Sequence, residues 1–310
     1  MKKVIVPILA TVMIFTGCSS TETSMEESAV VEVVNMESDK IMAQYNHLIE
    51  KESKPEEIIL FIDDNMDYLS EENADEVMID LFNYLSHYGD VYMEKLFKDK
   101  TQETLENIFP NEFHESEIHH ISNRRIRGLL REIVNGRYKL VRFEGSYYPV
   151  VDYDYLKKYG PYVSDEIKDY LKLMGRESAK VMSKDSALNI SWDELGERLV
   201  QTETYLEKYP NSLLKKQCTS LYLAYLQVYI WGLENTRIDN DQSIILEDPY
   251  NSYEKIATKY QDTSIGDMLG QYVNILNKSN RIINEDIEKS REGLYKNAMS
   301  VLDEEVKNGQ

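Results

Sequence analysis

Between Lys216 and Glu234 lie seventeen residues, Gln217 to Leu233, that carry no charge. A membrane span needs about 20 predominantly apolar residues to cross about 30 Å of hydrocarbon. As a helix this run reaches only about 26 Å at about 1.5 Å per residue. It also contains Gln217, Thr219, Ser220 and Gln227. It therefore reads as a central helix buried by other elements on all sides. The composition agrees with a helical surround. Only 13 Gly and 7 Pro occur in 310 residues, too few for the tight turns of a β-sandwich or the Gly-rich loops of a dinucleotide-binding fold. Apolar residues make up 42% of the chain, enough for a core.

Apolar residues recur at helical spacing along most of the chain. Ile41, Tyr45, Leu48 and Ile49 form one stripe, and Pro55 opens a helix bearing Ile58, Leu60, Phe61, Met66 and Leu69. Ser70 reads as the cap of a helix carrying Val77, Leu81, Leu85, Tyr92, Leu96 and Phe97, with a break expected near Gly89. Ser122 is expected to cap a helix with Ile126, Leu129, Leu130 and Ile133, stopped at Asn135-Gly136. Residues 138–152 change period. Tyr138–Phe143 and Tyr147–Val151 are rich in β-formers around Glu144-Gly145-Ser146, which predicts a small β-hairpin. Helices resume after Ser164 and at the capping box Ser191-Trp192-Asp193-Glu194, the latter ending near Tyr209-Pro210. Asn235 to Pro249 reads as a loop, followed by helices around Ser264–Lys278 and Asn284–Lys307. The expected fold is mostly α: a multi-helical array or an irregular helical domain, with one small β-hairpin near 138–152. The expected divisions are 1–17, 18–28, 29–136 and 137–310, the last two forming an N-terminal helical part and a hairpin-plus-helices part, or one continuous domain.

The first two divisions come from the start of the chain. Met1-Lys2-Lys3 is a short positive segment, and Val4 to Phe15 is an apolar one too short to span a bilayer. It ends in Thr16-Gly17-Cys18. A small residue followed by Cys at this place resembles the lipobox of bacterial lipoproteins. The resemblance implies cleavage before Cys18 and acylation of Cys18 with palmitate-type chains. It implies a location on the extracytoplasmic face of the cell membrane, with residues 18–28 as a tether. Loss of Met1 to Gly17 removes Lys2 and Lys3 but no acid, so the net charge moves from −20 to −22. Such acidity disfavours nucleic acid as a partner and gives the body no attraction to anionic lipid.

A second, fainter pattern lies further along. Lys208-Tyr209 and Lys259-Tyr260 stand 51 residues apart, with Leu214, Cys218, Leu221 and Tyr225 matched at that offset by Ile265, Leu269, Tyr272 and Leu276. Lys158-Tyr159 is a looser third copy. A helix, a Lys-Tyr step, a tight turn and a second helix resemble the helical hairpins of tetratricopeptide-like arrays.

Residues that could carry chemistry are few. His114, His119 and His120 offer imidazoles near carboxylates, but the interval from His114 to His119 is five residues, off one helical face. Asp239-Asn240-Asp241 lacks the Gly and Glu of a calcium loop, since Ile244 and Tyr250 hold those places. Glu144, Asp152 and Asp154 are the nearest thing to paired carboxylates. Cys218, the one thiol left once Cys18 is acylated, sits on an apolar helical face and reads as a core residue. The densest unusual feature is aromatic. Seven tyrosines fall between Tyr138 and Tyr162, and Tyr147, Tyr148, Tyr153 and Tyr155 with Asp152 are the candidate ligand surface. Alternatively, these rings seal the hairpin onto the helices. The expected function is a membrane-anchored, non-catalytic helical binding or assembly module for a protein or cell-wall partner, without a cofactor. A cell-envelope hydrolase and a solute-capture lipoprotein of a transporter are the alternatives.

Overall fold

The computed structural model describes residues 37–307, with side chains through residue 299. The expected signal peptide, Cys18 and the tether lie outside the described residues. The body is mostly α-helical, with three two-stranded antiparallel sheets among the described residues. Residues 37–50 form α1. It is followed by α2 (Pro55–Asn65), α3 (Glu71–Leu96), α4 (Thr101–Ile108) and α5 (Arg124–Asn135).

Ser70 caps α3 as its position predicts, its hydroxyl accepting the Asn73 N–H at 3.2 Å. The Ser38 hydroxyl on α1 accepts from the Ser70 N–H and the Asn73 amide, so one cap joins two helices. The expected break at Gly89 does not occur, and α3 runs unbroken through it. A mid-helix glycine weakens a helix by about 1 kcal/mol relative to alanine; burial of the α3 face, from Ala74 to Leu96, outweighs that. Asn123, not Ser122, caps α5, because its side-chain oxygen reaches the N–H groups of Arg125 and Ile126. At the other end the left-handed residue is Arg137, with φ +64. Gly136 serves a different need: a Cβ there would lie 3.1 Å from Pro55 Cβ and from the Tyr92 hydroxyl.

Three modules of one design follow. The first opens with the expected hairpin, β1 (Tyr138–Phe143) paired with β2 (Ser146–Val151) in the register Phe143↔Ser146. Its turn residues Glu144 and Gly145 both have positive φ, the geometry that matches the twist of the flanking strands. Then come α6 (Tyr153–Leu156) and α7 (Asp165–Ala179). The second module has β3 (Ser183–Lys184), β4 (Ala187–Leu188), α8 (Trp192–Lys208) and α9 (Lys215–Trp231). The third has β5 (Gly232–Leu233), β6 (Thr236–Arg237), α10 (Glu247–Lys259) and α11 (Ser264–Lys278). The long α12 (Glu285–Lys307) packs on α9 and α11. The stretch expected to be a loop from Asn235 to Pro249 thus contains β6 and the start of α10. Pro249 is tolerated there because the first turn of a helix needs no N–H from it.

The hairpins touch one another in order. The Glu144 N–H donates to the Asp185 carboxylate at 2.6 Å, and the Asn235 N–H donates to the Ser186 carbonyl at 2.9 Å. The helices are joined by the three Lys-Tyr steps, each of which grips an acid of another helix. Tyr159 donates to Asp63 of α2 at 2.6 Å, with Lys158 paired to the same carboxylate. Lys208 and Tyr209 both reach Asp169 of α7 at 2.9 Å. Lys259 and Tyr260 reach Glu197 of α8 at 2.6 and 2.9 Å. In each step the ammonium also lies over its neighbouring ring, 4.8 to 4.9 Å from the centroid.

The charge-free run forms α9 as far as Trp231; Gly232, with φ +75, ends the helix, and the last two residues of the run form β5. The buried side chains of α9, Cys218, Tyr222, Tyr225, Leu226, Val228, Tyr229 and Ile230, do not confine themselves to one face. No helix among the described residues is long and apolar enough to cross a membrane. Burial pushes the Cys218 thiol up to about 12, as befits a core residue. One buried acid links α8 to the third module. Glu203 accepts the Ile265 N–H at the start of α11, at 2.9 and 3.1 Å from its two oxygens, and the Tyr222 hydroxyl of α9. Burial, with a smaller push from Glu207, raises its pKa to about 7 against the pull of those donors.

The folded chain therefore holds a proton on Glu203 between pH 4.5 and about 7 that the unfolded chain has released. Stability then falls as pH rises through that window and levels off above it. Chemical denaturation at pH 5 and pH 8 is expected to show a pH-dependent loss smaller by about 2 kcal/mol in Glu203→Gln than in the native chain. An identical loss in both proteins would remove Glu203 from this role.

Candidate functional site

The tyrosine-rich segment divides into core and surface. Tyr147 is fully buried, and its hydroxyl donates to the Phe109 carbonyl at 2.5 Å. Tyr153 is buried against Phe82 and Tyr170, with ring centroids 5.6 and 6.1 Å away. These two rings pack the hairpin and α6 onto α3, α4 and α7, and in this structure neither offers a face to a ligand. Asp152 caps α6 through the Tyr155 N–H and pairs with Lys139 at 2.8 Å. Tyr155 is half-buried. The Arg137 guanidinium stacks on its ring at 3.8 Å and its hydroxyl donates to Asp63. Tyr148 meets Phe97 and Phe143 near the surface. The five candidates thus do not converge on one site.

The other sequence candidates also separate. His114 precedes a short 3-10 turn, Glu115–His120. His119 lines a recess of about 620 Å³ with Arg131, whereas His120 lines another of about 530 Å³ with Thr104. No group of three or more His, Cys, Asp or Glu among the described residues could hold a metal ion. Asp239 and Asp241 pair with Arg237, and Asn240 accepts the N–H groups of Gln242 and Ile244, so their oxygens serve the loop. Asp152 and Asp154 pair with Lys139 and Lys157 respectively, not with a shared substrate position.

The feature that stands out on this acidic chain is a cationic recess between α7 and α8. It holds about 490 Å³ and is lined by Lys157, Lys172, Arg176, Lys180, Arg198 and Gln201, with Ala179 and one acid, Glu194. A smaller recess of about 240 Å³ shares Lys172 and Gln201 with it and extends along α8 past Thr204 to Lys208. Together they form a groove beside the second Lys-Tyr step.

The groove is built from both helices and from one glycine. Lys172 and Arg176 stand four residues apart on one face of α7, and Lys180 is the extended residue that ends the helix. Lys157, from the turn after α6, crosses α7 at Gly175. A Cβ on Gly175 would collide with Lys157 Cε and lie 2.9 Å from Nζ. The floor is Arg198, 2% exposed. Its guanidinium donates to Glu177 and Glu194 at 2.6 Å each, and Tyr225 donates to Glu177 at 2.7 Å. Arg198 is thus committed to its acids. Lys157 pairs with Asp154 and Lys172 with Asp169. Burial opposes ionisation of Asp169, but hydrogen bonds from Lys172, Lys208 and Tyr209 outweigh it and bring its carboxyl down to about 2. Arg176 spends one N–H on the Gln201 side-chain oxygen, at 2.6 Å. Neither Arg176 nor Lys180 has a carboxylate within ion-pair distance among the described residues. The spacing of Lys168, Lys172, Arg176 and Lys180 was visible in the sequence, but the whole-chain charge concealed it. Lys157 and Arg198 carried no signal, because only the fold brings them there.

Comparison with known proteins finds no matching family model, no matching curated protein and no matching solved structure.

Replacing Arg198 leaves Glu177 and Glu194 facing each other without their shared cation. Arg198→Met is expected to lower the unfolding free energy by about 3 kcal/mol. Adding Glu194→Gln is expected to return part of that loss. Equal stability of Arg198→Met and the native chain in urea denaturation would show that the guanidinium does not hold the floor of the groove.

Proposed function

We propose that this chain is a membrane-anchored extracytoplasmic lipoprotein, and that its helical body is a binding or assembly module for a protein or cell-wall partner. The anchoring half of the reading rests on one observation, the Thr16-Gly17-Cys18 sequence closing a short apolar segment behind Lys2-Lys3. With a net charge of −20, the chain offers anionic lipid no general electrostatic attraction, so retention at the membrane falls to acyl chains on Cys18. The binding half rests on the groove between α7 and α8, where cations gather against the charge of the rest of the chain. Helical modules joined edge to edge present such a groove on a rigid frame, as a binding surface requires.

In the native host, the protein is expected to incorporate a clickable palmitate analogue and to fractionate with membranes. Cys18→Ser is expected to lose the label and to leave the membrane fraction. An unlabelled native protein, or a Cys18→Ser variant still held at the membrane, would overturn the anchoring half.

A further inference from the structure

Arg176 lies in the last turn of α7 and Lys180 is the extended residue that ends it, and no carboxylate pairs with either among the described residues. The charge of Arg176 is felt by Glu197, and Gln201 holds one of its N–H groups, which fixes the guanidinium and leaves its other donors to the recess. Lys157 adds a third cation from a different element, laid across Gly175 with its ammonium also paired to Asp154. A glycine inside a helix weakens it by about 1 kcal/mol relative to alanine. Here the missing Cβ is what lets the lysine lie flat on α7. Glu194 is the single acid of the lining, and it is occupied by Arg198.

We propose that this recess holds a phosphate group of an extended phosphodiester chain, bound by Arg176, Lys180 and Lys157. The inference deepens the binding half of the proposed function by naming the chemistry of the ligand. Three donors arriving from separate side chains suit the tetrahedral oxygens of a phosphate better than the plane of a carboxylate. The recess is open, with Lys172, Ala179 and Lys180 exposed at its rim, so it does not enclose a small molecule as ligand pockets do. It adjoins the recess along α8 through the shared Lys172 and Gln201, where Thr204, Tyr205 and Lys208 stand beside Asp169, the acid that Lys172 and Lys208 already engage.

The test is calorimetric titration of the purified full chain, in non-ionic detergent and low salt, with a synthetic glycerol phosphodiester oligomer. Orthophosphate and poly-L-glutamate are titrated in parallel. The oligomer is expected to bind, orthophosphate to bind at least tenfold more weakly, and polyglutamate not to displace the oligomer. The double variant Arg176→Gln, Lys180→Gln is expected to weaken binding of the oligomer at least tenfold. Gly175→Ala is expected to weaken it severalfold by displacing Lys157, while its thermal midpoint stays equal or rises, which separates a lost contact from a lost fold. No binding of the oligomer, or equal binding in both variants, overturns the proposal. Orthophosphate binding as tightly as the oligomer would assign the recess to free phosphate, and displacement by polyglutamate would assign it to carboxylates; either outcome also overturns it. These readouts do not depend on Cys18, so failure here leaves the anchoring half standing, and loss of acylation leaves this result unchanged.

Discussion

A buried tyrosine must satisfy its hydroxyl, and the architecture is organised around that requirement. Fourteen of the 23 tyrosines are buried. Each ring contributes a large apolar face, but an unpaired buried hydroxyl costs about 1–3 kcal/mol. The fold meets this by aiming the hydroxyls at other elements. Tyr45 of α1 reaches the Val77 carbonyl in α3, Tyr138 of β1 reaches Leu85, and Tyr253 of α10 reaches Tyr229 in α9. Each such bond fixes one element against another at a set distance, so the hydroxyls act as registration points within an otherwise apolar core. The Lys-Tyr steps are the surface version of the same device. The lysine neutralises one acid while the tyrosine hydroxyl donates to it, and the ammonium stays near water over the neighbouring ring.

This explains why the modules repeat loosely and not strictly. What recurs is the link between a helix end and an acid on a neighbour, and the acid can come from any element that arrives there. Asp63 comes from α2, far earlier in the chain, whereas Asp169 and Glu197 come from α7 and α8. A sequence comparison at fixed spacing sees Lys-Tyr and the following apolar stripe, and does not see the acids. The hairpins are harder still. β3–β4 and β5–β6 have two residues per strand, below the length at which alternation can be read. They are held by contacts between turns, Asp185 with Glu144 and Ser186 with Asn235, and not by strand propensity.

Long elements were legible because one face of each is buried along its whole length. The charge-free helix became α9, and the helix expected around Ser264–Lys278 forms α11 with those limits. Local signals misled where a neighbour outweighed them. Ser122 and Asn123 are equally good caps by type, and the geometry of the incoming chain decides for Asn123. Gly89 weakens the helix locally, but the buried face of α3 carries the helix past it. The tyrosine cluster is one feature in the sequence and two in the fold, because alternate positions of a hairpin point to opposite faces. Tyr147 faces the core and Tyr148 does not.

The same distinction between local and global governs the groove. A net charge of −20 argues against any anion as partner when the chain is treated as a uniform body. At physiological salt, however, charges more than about 8 Å apart are largely screened from one another. A bound group in the recess therefore responds to Arg176, Lys180 and Lys157 and to the acids already engaged there, not to carboxylates across the molecule. The distant acids act on approach, slowing the encounter of a polyanion with every other part of the surface. Global acidity and local cationic donors are thus compatible: the first suppresses non-specific contact, and the second leaves Arg176 and Lys180, at the end of α7, without a paired carboxylate among the described residues. At Gly175 a Cβ would push the flexible end of Lys157 away from α7, so the glycine lets that ammonium lie where it does.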